Sequence, residues 1–218
     1  MRSISRVIVV INKSTSIPRP RGRPRAFDRA EALEHAGLTF WRLGYEGASI
    51  ADLTKAMGIT PQSLYSAFSS KADLYREALD WYQSRIGAFA IAALEEPEVT
   101  TAIERLLMEA AVEFSNPDRP HGCMISTAVL NCAEENQTVA AMVAGERKTT
   151  LDALQNRIAR GIAEGQLPSN TDPQALARFV GAIIQGMSVQ AKDGASAAEL
   201  KAIASITLSK VHGLATAS

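Results

Sequence analysis

A group of polar side chains of modest length directly follows a predicted helix start. They are Gln62, Ser63, Tyr65 and Ser66. Thr60 is a residue type that caps helix N-termini, and Pro61 has a backbone angle that suits the first helical position. We therefore predict a short helix from Pro61 that buries Leu64 and Phe68. Hydroxyl and amide groups on its outer side can hydrogen-bond base edges or phosphate oxygens, so this face is a candidate contact surface for nucleic acid.

A second short helix is predicted immediately before it. Ser49 can cap its N-terminus, and Asp52 places negative charge in the first turn, where the helix dipole favours it. An apolar stripe follows at helical spacing, made of Ile50, Leu53 and Met57. Gly58 then supplies the backbone freedom that a tight reversal needs. Two short helices joined by such a turn predict a helix-turn-helix, which places its second helix in the major groove of DNA.

Helices on either side are predicted to hold this motif in place. The inner stripe of the preceding helix consists of Leu33, Ala36, Phe40 and Leu43. After the motif, Ser70 caps a fourth helix that begins at Lys71. Because free amides at a helix N-terminus favour an anion, a DNA phosphate is expected beside Lys71.

Over residues 19 to 82 the sequence resembles the TetR (TetR/AcrR) family of bacterial transcriptional regulators. The resemblance is carried by Arg21 to Arg25, Phe27-Asp28, Ala32-Leu33, Phe40, Gly44-Tyr45, Ser49-Ile50, Asp52-Leu53, Gly58-Ile59, Ser63-Leu64-Tyr65, Phe68, Lys71 and Leu74. It implies that Tyr65 and Lys71 hold DNA phosphates, and that Gln62, Ser63 and Ser66 lie in the groove. Ser49 and Thr60 are further candidates for contacts with the DNA backbone.

The distribution of charge agrees with a polyanionic partner at one end of the chain. The formal charge is zero overall, yet residues 1 to 71 hold 11 of the 23 basic residues and only 5 of the 23 acidic ones. Arginine occupies every second position from Arg19 through Arg21 and Arg23 to Arg25. We expect this segment to enter a minor groove beside the site that the helix contacts. The alternative is a solvated basic tail.

The chain divides into three predicted regions: a basic extension (1–25), a helix-turn-helix domain (26–71) and a helical effector-binding and dimerisation domain (72–218). The apolar run Val7 to Ile11 is too short for a secretory leader, so residues 1–18 are interpreted as a mobile extension or an upstream start-site error. No stretch approaches the roughly 20 apolar residues that span a membrane. We expect a cytoplasmic protein.

The remainder of the chain predicts an all-α fold with about nine helices in total, because no alternating β-branched run is present after residue 11. Helices are predicted from Thr100 or Thr101 to just before Asn116, from Cys123 to Glu134, and from Thr138 to Glu164. Asp172-Pro173 opens the penultimate helix, and a capping box of Ser196 and Glu199 opens the last.

The last two helices carry more apolar surface than one neighbour can cover. The candidates for a dimer interface are Phe179, Ile183 and Met187 on the penultimate helix, with Ile203 and Leu208 on the last. Pairing with a second copy would make a four-helix bundle. The alternative is an ordinary core within one chain. The family resemblance also implies dimerisation through these two helices.

The body of the chain shows no catalytic pattern and implies no cofactor. The three histidines of the chain are scattered, and no nucleophile motif, phosphate-binding glycine loop or zinc spacing is present. The resemblance instead implies a cavity that binds a small effector and, on closing, moves the DNA-binding heads. Candidate lining residues are Phe89, Leu107, Phe114, Cys123, Met124 and Met142. Each of them is otherwise a core residue.

Cys123 supports a narrower hypothesis. At the start of the predicted helix 123–134, its thiolate would be stabilised by the helix dipole, which would suit sensing of oxidants or electrophiles. Metal binding through His121, Cys123 and Cys132, or plain packing, are the alternatives. Two further classes of function also remain open: an architectural DNA-binding protein without sequence preference, and a helical binding protein or enzyme with a vestigial helix-turn-helix.

Overall fold

The computed structural model describes residues 27–215, and every regular element within them is helical. The nine α-helices of this range are α1 (Arg29–Gly47), α2 (Ile50–Met57), α3 (Pro61–Phe68), α4 (Lys71–Arg85), α5 (Ala88–Leu94), α6 (Val99–Phe114), α7 (Gln137–Ala163), α8 (Pro173–Lys192) and α9 (Ala197–Ala215). A single 3₁₀ turn, Glu134–Asn136, precedes α7. No helix within the described range is both long enough and apolar enough to span a bilayer. The predicted all-α fold is confirmed.

The N-terminal head is built around a core shared by α1 to α4. Three aromatic rings form its centre, with the Tyr75 ring 4.9 Å from that of Phe40 and 5.0 Å from that of Tyr45, centroid to centroid. Leu53 and Leu64 bring α2 and α3 onto this core, and both are fully buried. Burial of large apolar side chains is the main term that stabilises such a small unit, so the orientation of α3 depends on this core.

The inner stripe predicted for α1 is partly wrong. Ala36 and Phe40 are buried as expected, but Leu33 is half-buried and Leu43 is exposed. The buried face instead runs through Trp41 and continues past Gly44, where the helix is kinked by a non-helical residue (φ 74°, ψ 171°). The kink rotates the last turn of α1, and this rotation brings Tyr45 into the head core.

The body contains α5 to α9 and has its own core. Helices α6, α8 and α9 contribute most of its buried side chains, including Leu107, Val180 and Leu208. Four residues from the later part of the chain, Met124, Ile125, Val139 and Val143, are buried in the core of the head instead. The head and the body are therefore joined by packed apolar contacts as well as by the α4–α5 connection.

Candidate nucleic-acid interface

The turn between α2 and α3 has the geometry that the sequence predicts. Ser49 caps α2 by accepting from the Asp52 amide (3.1 Å), and the Asp52 carboxylate accepts from the Ser49 amide (3.0 Å). The Ser49 hydroxyl also donates to this carboxylate, and that bond, followed by the one from the Ser49 amide, lowers the pKa of Asp52. Gly58 ends α2 in the left-handed conformation (φ 66°). The chain then reverses over two residues and enters α3.

Helix α3 presents its polar side to solvent. Thr60 caps it by accepting from the Ser63 amide (3.2 Å), while Leu64 and Phe68 anchor the opposite side in the head core. Gln62, Tyr65 and Ser66 are all exposed, Tyr65 at 48% of its surface. We call these three residues the recognition face. Side chains that are exposed on a helix anchored from behind are free to enter a groove.

Three of the predicted contacts are already engaged within the chain. The Ser63 hydroxyl is half-buried and lies 3.0 Å from the Thr60 hydroxyl, so these two groups bond each other. The Ser49 hydroxyl donates to the Asp52 carboxylate. Hydroxyls that already have a partner gain less from a base or a phosphate than Gln62 does, because the existing bond must be broken or shared.

Lys71 lies at the first position of α4, behind the Ser70 cap, whose hydroxyl accepts from the Asp73 amide (3.0 Å). Its ammonium nitrogen is 4.5 Å from the centroid of the Tyr45 ring. Burial lowers the pKa of Lys71, and the nearby Glu46 carboxylate opposes that effect. An ammonium that has already lost part of its water on an aromatic ring is well prepared to accept a phosphate.

Arg29 supports the end of α3 and was missed by the sequence analysis. Its guanidinium lies 4.4 Å from the centroid of the Phe68 ring and 2.7 Å from the Glu77 carboxylate, and it also donates to the Ala67 carbonyl (3.3 Å). These contacts tie the end of α3 to α1 and α4. No local signal indicates them, because the partners lie 38 and 48 residues away in sequence. The predicted arm, Arg19, Arg21, Arg23 and Arg25, lies outside the described residues.

The six candidate effector residues are divided between the cores of the head and the body. Leu107 and Phe114 are buried in the core of the body, where Phe89 is partly buried, whereas Met124 is buried in the core of the head and Met142 packs beside it. Cys123 packs against both cores. A groove of about 830 Å³ opens between α1 and α4, and none of the six lines it. All six therefore pack in or against one of the two cores, and a role in binding an effector stays a prediction.

The predicted dimer residues fall into two groups. Met187 and Leu208 are buried within the chain, so they belong to its own core and present no surface to a partner. Phe179 is 42% exposed, and Ile183 and Ile203 are half-buried. The sequence analysis missed three more exposed apolar side chains on these helices, Val189 (44%), Ile206 (68%) and Leu214 (40%). Helical spacing identified the apolar helices, but it did not identify which side of each helix stays exposed to solvent.

The helix predicted from Cys123 to Glu134 is wrong. This stretch consists of turns, and Val129 adopts a left-handed conformation (φ 49°), which a helix cannot contain. Both cysteines are free thiols, but the argument for a thiolate at a helix N-terminus no longer applies to Cys123. Residues 27–215 contain no cluster of His, Cys, Asp and Glu side chains that could hold a metal ion, which removes support for the site at His121, Cys123 and Cys132.

Similar proteins share this architecture along most of the chain. Residues 33–78 match the family described as "Bacterial regulatory proteins, tetR family", and residues 102–206 match "Tetracyclin repressor-like, C-terminal domain". The HTH-type transcriptional repressor ComR of Escherichia coli (strain K12) is 36% identical over 194 residues, covering 88% of this chain and 92% of that protein. The HTH-type transcriptional repressor BdcR of the same organism is 29% identical over 202 residues, covering 91% and 94%.

A solved structure of a cysteine mutant of the TetR family transcriptional regulator CifR, complexed with 26-base-pair operator DNA, is also similar. It is 40% identical to this chain, covers 86% of it and 98% of the CifR chain, and has a TM-score of 0.82. The match spans both the helix-turn-helix and the helices that follow it. This chain is a member of the TetR family of bacterial transcriptional regulators.

Proposed function

We propose that this protein is a homodimeric, effector-responsive repressor that binds a palindromic operator through α3. The observation that carries the proposal is the recognition face: Gln62, Tyr65 and Ser66 stand exposed on a helix whose other side is anchored by Leu64 and Phe68. Two of the relatives are repressors by name, and CifR is named in complex with its operator. These likenesses support repression as the direction of control.

Within this proposal the side chains divide into two roles. Gln62 and Ser66 read base edges in the major groove, whereas Tyr65, Lys71 and the arginines of residues 19–25 contact the backbone or an adjacent minor groove. Ser49 and Thr60 contribute mainly by capping α2 and α3, and Ser63 contributes by bonding the Thr60 cap; together they orient the two helices. Phosphate contacts fix the register of the protein, and base contacts supply the sequence preference.

The dimer is proposed to form through α8 and α9. Phe179, Val189 and Ile206 are exposed apolar side chains on these helices, and Ile183 and Ile203 are half-buried beside the body core. Exposed apolar surface on two neighbouring helices is typical of a subunit interface. A two-fold pair of heads would contact two half-sites of a palindrome about one helical turn, or a multiple of it, apart.

We infer that the body responds to a small effector and carries no catalytic activity. The packed contacts between body and head provide the means by which a change in the body alters the spacing of two heads. A cytoplasmic location follows from a chromosomal DNA partner.

Selection of bound DNA tests the proposal directly. Purified protein is incubated with fragments of its host genome and, separately, with random duplexes, and bound molecules are sequenced. We expect a two-fold symmetric motif that is bound at least about a thousand times more tightly than unrelated duplex. Equal retention of all sequences would instead identify an architectural DNA-binding protein, and no retention at all would overturn the proposal.

Replacing Lys71 by alanine is expected to weaken binding to every duplex by the same factor. Because Lys71 is proposed to contact a phosphate, its loss should lower the slope of log Kd against log salt by about one per head, or about two per dimer. Fluorescence anisotropy over a salt series measures this slope. Lys148→Ala, an exposed lysine on α7, serves as the matched control and should leave it unchanged. A sequence-dependent loss for Lys71→Ala would contradict the assignment.

One observation favours a second mode of response, through Cys123. Its side chain is the thiol that contacts the cores of both head and body, and its amide donates to the Ser188 hydroxyl on α8 (2.8 Å). A bulky adduct at this point would separate the two units. We expect N-ethylmaleimide to release operator DNA from the wild type and from Cys132→Ser, but not from Cys123→Ser. Release from all three proteins would exclude Cys123 as the sensor.

A further inference from the structure

Glu46 links the last turn of α1 to the beginning of α7. One of its carboxylate oxygens accepts from the Ala133 amide (3.0 Å) and from the Asn136 side-chain amide (2.8 Å). These partners lie 87 and 90 residues further along the chain. The bond from Asn136 is the larger of the causes that lower the pKa of Glu46, and the one from Ala133 follows. Both bonds therefore favour the ionised form of the carboxylate.

Glu46 also neighbours the phosphate-binding side of the head. It follows Tyr45, whose ring supports the Lys71 ammonium at 4.5 Å, and the negative charge of Glu46 acts on Lys71. The Glu46 carboxylate can therefore bond either the two amides of Ala133 and Asn136 or the ammonium of Lys71. While Asn136 and Ala133 hold it, it is kept from pairing with the lysine, and once released it can compete with phosphate for that lysine.

Helix α7 is anchored in the head at its start and in the body further along. Val139 and Val143, in the first two turns of α7, are buried in the core of the head, and the rest of α7 extends into the body as far as Ala163. A displacement of α7 therefore moves Asn136 relative to Glu46, which is anchored on α1. A hydrogen bond to an exposed carboxylate depends steeply on such a displacement, because water is available as a replacement.

We propose that Glu46 is a positioning residue for DNA binding: the bonds from Ala133 and Asn136 occupy its carboxylate, and movement of α7 that breaks them frees the carboxylate to compete with phosphate for Lys71 and so lowers the affinity for DNA. This inference rests on the proposed function, because it takes Lys71 to be a phosphate contact. It assigns to Asn136, which lies far outside the helix-turn-helix in sequence, an effect on binding that needs no contact with DNA.

A double-mutant cycle tests the inference. Asn136→Ala removes the larger restraint and leaves the carboxylate, so we expect it to weaken binding by about three- to thirtyfold, both on the selected operator and on an unrelated duplex of equal length. Glu46→Gln removes the charge that competes for Lys71. In the Glu46→Gln background, Asn136→Ala should then have no effect on affinity. This rescue distinguishes an electrostatic role from a loss of structure, which the second change could not repair.

The controls are Asn131→Ala, an exposed asparagine of the same segment, and Glu135→Gln, an exposed carboxylate beside Asn136. Asn131→Ala should not weaken DNA binding as Asn136→Ala does, and Glu135→Gln should not rescue the Asn136→Ala variant. Unchanged affinity in Asn136→Ala, or effects of Asn136→Ala and Glu46→Gln that simply add, would overturn the inference while leaving the proposed function intact, provided that Lys71→Ala still weakens binding. Absence of DNA binding in the wild type would overturn both.

Discussion

Gln62→Ala is expected to relax the preference of the protein at one base position in each half-site by about 1 to 3 kcal/mol, or about five- to 150-fold. Gln62 lies in the first turn of α3, is exposed, and bears an amide that can both donate to and accept from a base edge. Removing that amide leaves the base without its partner, whereas binding to unrelated DNA depends on phosphate contacts that persist. The preferred operator should lose affinity and unrelated duplexes should not.

Binding to a set of operators that differ at single positions measures this effect. The matched control is Gln174→Ala, an exposed glutamine in the first turn of α8, which should bind every operator as the wild type does. Ser63→Ala should have a smaller effect than Gln62→Ala, because the Ser63 hydroxyl is already bonded to Thr60. If Gln62→Ala weakened all sequences alike, Gln62 would be a phosphate contact and its assigned role would be wrong.

The parts of the head that could be predicted from sequence are those whose partners are close along the chain. The caps of α2, α3 and α4 are made by Ser49, Thr60 and Ser70, each of which bonds an amide three residues later. Such a bond can be predicted from the type of the capping residue and its spacing from the amide. The same holds for the capping box of Ser196 and Glu199 at α9.

The segment from Cys123 to Glu134 could not be predicted in the same way, because its conformation depends on distant partners. The Arg147 guanidinium on α7 donates to the carbonyls of Ile125 and Ala128, at 3.2 and 2.8 Å, and the Lys192 ammonium on α8 donates to the Thr127 hydroxyl at 3.0 Å. These bonds fasten the non-helical segment to α7 and α8. A local apolar spacing cannot reveal them, and the predicted helix was wrong for this reason.

The buried and exposed sides of α8 could not be predicted from the sequence either. Phe179, Ile183 and Met187 follow one helical spacing, yet Met187 is fully buried and Phe179 is 42% exposed. Spacing defines a stripe but not the neighbour that covers each part of it. Which part meets α6, α7 and α9, and which remains for a second copy, depends on the angles at which the helices cross.

Gly122→Ala is expected to destabilise the protein by about 2 to 5 kcal/mol. Gly122 has a left-handed backbone (φ 75°), which costs a residue with a side chain about 1 to 2 kcal/mol. An added Cβ would also lie 2.6 Å from the Ser188 carbonyl oxygen of α8, and neither backbone can move away without disturbing its neighbours. Overpacking of this kind adds about 1 to 3 kcal/mol.

The expected loss of stability is large because Gly122 contacts α1, α6 and α8. Its amide donates to the Phe114 carbonyl at the end of α6 (2.8 Å), and its carbonyl accepts from the Trp41 indole of α1 (3.1 Å). Shifting the glycine to accommodate a methyl group would strain both bonds, and the Trp41 bond is buried. The substitution should therefore weaken the contact between head and body, and it should also lower the free energy of unfolding.

Urea unfolding at a single protein concentration, followed by circular dichroism, gives the change in free energy; the fixed concentration keeps any dimer contribution constant. Gly145→Ala is the matched control, since Gly145 lies within α7 and an added Cβ would meet nothing within 4 Å. Alanine is the better helix former by about 1 kcal/mol, so this control should be stabilised. Opposite signs for the same substitution would show that the close approach of Gly122 to α8 is required. Equal stabilisation of both variants would mean that the segment can move away from α8 at no cost, and that it does not tie the head to the body.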